Sequence, residues 1–123
     1  RVLFRSASQE AQLVNAVCDS SGFCQFLQPN LDDIRGFYAA LYGEEVSRDT
    51  IADIGWQCLQ DEWRFNDAAG FTEADDDLPS AMKEEGVGPG HSLKFDVAPD
   101  IIHQARHHRF DARKELFAMK ATG

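Results

Sequence analysis

The residues best able to do chemistry are concentrated in CDSSGFCQF, residues 18–26, which brings two thiols, a carboxylate and a glycine together. A thiolate can ligate a metal or exchange with a disulfide, and an ionised carboxylate can accept from several N–H groups at once. Cys18 and Cys24 stand six positions apart, which is neither the C-x-x-C of redox pairs and zinc ribbons nor another spacing of known metal geometry. Spacing alone therefore leaves Cys24 open as a metal ligand, as half of a redox pair with Cys18, or as a small buried hydrophobe. Cys58 lies in an apolar helical stripe and reads as core.

Other clusters have simpler explanations. His103 and His107 stand at i and i+4 with His108 beside them, a separation used in some zinc sites. The glutamate of H-E-x-x-H is missing, so a solvated basic face is the simpler account. Asp75-Asp76-Asp77 lacks the alternating oxygen ligands and sharp-turn glycine of a calcium loop, and reads as helix capping. No Ser/His/Asp or Cys/His arrangement and no glycine-rich loop after a strand is present, so no catalytic residue is assigned.

The elements that must position the bend are helical. Ala7, Ala11, Val14 and Val17 recur at helical spacing and predict a helix ending at Asp19-Ser20-Ser21-Gly22. A second helix is predicted from an Asn30 N-cap to Gly43, with Asp32 and Asp33 in its first turn and Leu31, Ile34, Phe37, Tyr38 and Leu41 along one stripe. Ser47 caps a third, mostly buried helix to about Trp63, with Ile51, Ile54, Cys58 and Phe65 on one face and Trp56, Leu59 and Trp63 widening it. A short helix follows, capped by Thr72 or the aspartates, with Pro79 early inside it. The glycine-rich stretch to Val97 is extended, and Pro99 opens a last helix to about Met119. The predicted class is all-α, an irregular bundle of about four to five helices without internal repeat.

At 123 residues, 43% hydrophobic and with nine phenylalanines, the chain holds enough apolar material for one core. A net charge of -9 disfavours nucleic acid and anionic membrane surfaces as partners. Three cysteines without a secreted disulfide pattern suit a reducing cytoplasm, and no apolar run approaches the roughly 20 residues of a membrane span. Residues 1–6, RVLFRS, resemble the translation of a sequencing-adapter end, CGT GTG CTC TTC CGA TCT. They are expected to be a non-native scar, leaving residues 7–123 as a single helical domain from the tail of a longer protein.

Two stretches resemble the C-terminal part of the tungsten-containing aldehyde ferredoxin oxidoreductase family. DSSGFC is similar to the family's D-x-x-G-L-C at Asp19, Gly22 and Cys24, with Phe23 in place of leucine. FNDAAGFTEADDDLP, residues 65–79, is similar to its run of F-N, G-F-T and D-D-x-L-P. The resemblance covers about residues 7–80, whereas the tail from Gly86 to Gly123 departs from the ending of the aldehyde-oxidising members and suggests a divergent subfamily.

The resemblance implies a tungsten or molybdenum bis-pterin and a [4Fe–4S] cluster, both held only in the intact parent. It implies that Asp19 accepts from pterin N–H groups, that Gly22 lets backbone approach the cofactor with Phe23 beside it, and that Cys24 gives one thiolate to the cluster. The other three cysteines, a C-x-x-C-x-x-x-C run, would lie upstream. The implied activity is oxidation of a small aldehyde to a carboxylate, with electrons passing from metal through pterin and cluster to ferredoxin. The implied partners are the missing N-terminal part of the polypeptide, ferredoxin and the aldehyde, with a homo-oligomer left open, and the fragment alone is expected to be inactive. The rival is a cofactor-free all-α interaction module in which Asp19 and Gly22 end a helix and Cys24 packs among Phe and Leu side chains. The first reading requires an outward-facing Cys24 and an apolar patch beside residues 19–26.

Overall fold

Apolar residues crowd into the stretch from Leu13 to Cys18, and in the computed structural model this stretch is the middle of the core. The structure describes residues 2–95, 97–103 and 106. Three long helices, α1 (Val2–Ser20), α2 (Leu31–Tyr42) and α3 (Arg48–Ala68), precede two short ones, α4 (Ser80–Glu84) and α5 (Pro99–His103). The fold is all-α: among the described residues no strand forms, only an isolated antiparallel bridge between Val87 and Leu93. No helix among them is long and apolar enough to cross a membrane. Helix α1 begins at Val2 and so includes residues expected to lie outside the domain.

Local side-chain chemistry starts each long element. Asn30 Oδ1 accepts from the Asp33 N–H at 2.8 Å while the Asn30 N–H donates to Asp33 Oδ2 at 3.0 Å, a reciprocal capping box that begins α2. Gly43, with φ 72°, closes that helix. Ser47 Oγ accepts from the Thr50 N–H at 3.0 Å and begins α3.

Leu13, Val14, Val17, Cys18, Leu31, Ile34 and Ile51 are sealed from solvent, each aliphatic contributing about 1.5–3 kcal/mol by burial. Gly55 lets α3 lie directly against α1, since a Cβ there would stand 2.6 Å from Val17 Cγ2 and 2.8 Å from the Leu13 carbonyl oxygen. The predicted stripes are buried only where a partner helix reaches them. On α2, Leu31 and Ile34 are buried but Phe37 and Leu41 are exposed. On α3 burial ends at Leu59, five residues of helix follow the predicted end at Trp63, and Phe65 is 73% exposed, so the helix is not mostly buried. A helix of 21 residues is about 31 Å long, and its buried residues, Ile51, Ala52, Gly55 and Leu59, all lie in its first twelve positions.

Charge ties α2 to the start of α3. Asp32 accepts from Arg35 Nε at 2.9 Å and from Arg48 Nη2 at 2.9 Å, and the Arg48 guanidinium, with Arg35 adding to it, holds the Asp32 carboxyl below the usual range. Farther along, Thr72 N–H and Oγ1 both donate to Asp75 Oδ2, which closes a turn rather than capping a helix. Pro79 is the N-cap of α4 and not a residue inside it. His103 Nδ1 stands 3.7 Å from Glu73 Oε2. His107, His108 and the rest of the helix expected to reach Met119 lie outside the described residues.

Candidate functional site

The bend after α1 is built by one residue conformation and two hydrogen bonds. Gly22 takes φ +73°, the Phe23 N–H donates to the Cys18 carbonyl at 3.1 Å, and the Gly22 N–H donates to the Asp19 carbonyl at 3.0 Å. These are the paired bonds of a Schellman ending, in which a left-handed residue turns the chain back over the last helical turn. A Cβ added at Gly22 would meet nothing within 4 Å, so it is the backbone angle that calls for glycine within this chain.

The same bend buries one of its two thiols and exposes the other. Cys18 has no exposed surface and its Sγ donates to the Phe23 carbonyl at 3.4 Å, whereas Cys24 is exposed at the start of a 3₁₀ turn, Gln25–Leu27. Burial pushes the Cys18 thiol up, with the charges of Asp19 and Cys24 acting the same way. Cys58, expected in the core, is half-buried with its Sγ 3.8 Å from Glu62 Oε1. Asp19 is exposed, and its Oδ1 accepts from Gln25 Nε2 at 3.2 Å, so the carboxylate is tied to the residue next to Cys24.

Phe23 turns inward against the core and meets Phe37 edge-on, with ring centroids 5.2 Å apart. Tyr38 continues the row toward Tyr42, stacked at 5.9 Å, and its hydroxyl donates to Ser21 Oγ at 3.1 Å. Beside the bend, Phe26 is 97% and Leu27 72% exposed, and Phe37, Leu41 and Tyr42 are exposed as well. Phe26 and Leu27 thus expose apolar side chains within the bend segment itself. Among the described residues no group of three or more His, Cys, Asp and Glu side chains is arranged to hold a metal.

The donor set fits one corner of a cluster site. One exposed thiol and one exposed carboxylate, the latter tied to Gln25, stand on the same bend. The sequence model for aldehyde ferredoxin oxidoreductase, domains 2 and 3, matches residues 5–113. The chain belongs to the aldehyde ferredoxin oxidoreductase family. The match runs past residue 80 into the tail that motif reading left outside the resemblance, and starts within residues 1–6. Neither the curated proteins nor the solved structures returned a match.

Sequence reasoning missed three features of this family member. Gln25, which secures Asp19, and the Tyr38–Ser21 bond join residues with no shared motif. The third was legible: NDAAGF, residues 66–71, repeats the D-x-x-G-F of DSSGF. Gly70 has φ +91°, the Phe71 N–H donates to the Asn66 carbonyl at 3.0 Å, and the Gly70 N–H donates to the Asp67 carbonyl at 3.1 Å. The two stretches that carry the family resemblance thus each contain a helix ending of one design.

Proposed function

We propose that this chain is the C-terminal part of a pterin- and iron–sulfur-dependent oxidoreductase that converts aldehydes to carboxylic acids, with ferredoxin as electron acceptor. It is proposed to act only with the remainder of its polypeptide. One observation carries the reading: in a member of this family, the thiol of Cys24 faces outward from the bend that also presents the Asp19 carboxylate.

Cys24 would hold one iron of a [4Fe–4S] cluster as a thiolate. Asp19 would accept from pterin N–H groups with Oδ2, since only Oδ1 accepts from Gln25 among the described residues. Gly22 sets the turn that presents them, and Phe23, packed on Phe37, anchors that turn to the core. When bound, the tungsten or molybdenum bis-pterin and the cluster would supply the two-electron chemistry. The exposed Phe26, Leu27, Phe37, Leu41 and Tyr42 suit a face covered by the upstream part of the polypeptide. A thiolate-ligated cluster also suits a reducing cytoplasm.

The experiment is anaerobic production of the full-length protein with and without Cys24→Ser. Loss or alteration of the iron–sulfur electron paramagnetic resonance signal is expected, with Asp19→Asn lowering pterin content while iron is retained. An unchanged iron–sulfur signal in Cys24→Ser overturns the ligand assignment. The rival, a cofactor-free interaction module, is favoured by the same apolar exposure and by Asp19 and Gly22 ending a helix, but it requires Cys24 to pack, and Cys24 is exposed. A full-length protein that folds without iron or pterin would support the rival.

A further inference from the structure

We propose that Cys18 and Cys24 form a reversible disulfide across the end of α1, with Cys24 as the thiol that meets the oxidant and Cys18 as the thiol that resolves it. The cross-link rests on the bend alone, whereas its consequence for iron binding rests on the reading of Cys24 as a ligand.

The Schellman bonds fold residue 23 back over residue 18, and Cys18 Sγ lies 3.4 Å from the Phe23 carbonyl oxygen. That carbonyl belongs to the peptide bond joining Phe23 to Cys24. In a planar trans peptide the oxygen and the following Cα lie on the same side, about 2.8 Å apart, which puts the Cys24 Cα within about 6 Å of Cys18 Sγ. Inward rotation of the Cys24 side chain and a turn of the Cys18 sulfur from the Phe23 carbonyl toward it are then both required. The loop to be bridged is already closed by hydrogen bonds, so little further chain entropy is lost. Cys58 is not placed to compete, being on α3 with its sulfur toward Glu62.

Exposure assigns the order of events. Hydrogen peroxide reaches the exposed Cys24, its O–O bond breaks, and Cys24 becomes a sulfenic acid with release of one water. The Cys18 sulfur then attacks the Cys24 sulfur, the S–O bond breaks, and the hydroxide leaves as a second water with the Cys18 proton. A disulfide held this way shields Cys24 from irreversible oxidation and withdraws it from iron until it is reduced.

The test treats the 123-residue chain with hydrogen peroxide, alkylates it under denaturing conditions and digests it with trypsin. Residues 6–35 contain Cys18 and Cys24 with no internal Lys or Arg, and residues 49–64 carry Cys58 alone. The 6–35 peptide is expected to lose two hydrogens and to resist alkylation in the wild type and in Cys58→Ser, with dithiothreitol reversing both changes. In Cys18→Ser, dimedone should trap several-fold more sulfenic acid at Cys24. Should that variant fail to fold, Cys24→Ser gives the second check, because its Cys18 should alkylate fully after peroxide. The proposal is overturned by a wild-type 6–35 peptide that gains oxygen at Cys24 while Cys18 alkylates, or by cross-links between chains. Either outcome would leave the ligand reading of Cys24 standing.

Discussion

Residues 18–23 and 66–71 end α1 and α3 with the same D-x-x-G-F sequence, the same left-handed glycine and the same two backbone bonds, yet they lie in different surroundings. After α1 the phenylalanine packs against the core and Phe37, and the next residue is the exposed Cys24. After α3, Phe71 is 58% exposed, and the Asp67 carboxylate is engaged by Arg106 Nη2 at 2.9 Å, with that guanidinium lying over the Trp63 ring. A shared local device turns the chain at both places. Among the described residues only the first is backed by packed helices, which makes it the firmer platform for a ligand.

The comparison can be broken most sharply beneath the first bend, where the crossing of α1 and α3 has no counterpart under the second among the described residues. Gly55→Ala forces a methyl into Val17 and the Leu13 backbone, and is expected to cost about 2–3 kcal/mol in urea unfolding despite alanine's better helix propensity. A neutral or stabilising result would mean the helices can part there without loss.

Next in size is the pair of phenylalanines. Phe23→Ala should cost about 2 kcal/mol, because it removes half-buried area and the edge contact with Phe37, whereas Phe71→Ala should cost no more than about 0.5 kcal/mol. Equal losses would show that the two endings are packed alike.

The glycines should then separate local from global stability. Forcing alanine to positive φ costs about 1 kcal/mol at either site. Gly22→Ala is expected to lower the global melting temperature, while Gly70→Ala should mainly speed amide exchange near residues 66–72.

The smallest effect concerns the charge pairs at the base of α2. The lowered Asp32 carboxyl stabilises the fold above the ordinary aspartate pKa of about 4, and that contribution is lost as pH falls through the lowered folded-state value. Asp32→Asn should therefore destabilise by about 0.5 kcal/mol at neutral pH, allowing for solvent screening, and the gap from wild type should close in acid. A gap that persists below both values would assign the effect to lost packing.

What sequence alone determined lies within a few residues of each helix end. Asn30 with Asp33, Ser47 with Thr50, and Gly22 and Gly43 act through contacts spanning no more than five residues, so their types and spacing were sufficient. Periodicity likewise identified helices, and two motifs identified the family. Tertiary structure decided which parts of those stripes are covered: Leu59 is buried and Phe65 exposed on one helix, and Cys18 is hidden while Cys24 is open on one bend. Burial is a sum over partners distant in sequence, and a periodic pattern names the face that can be covered without saying how far its cover extends.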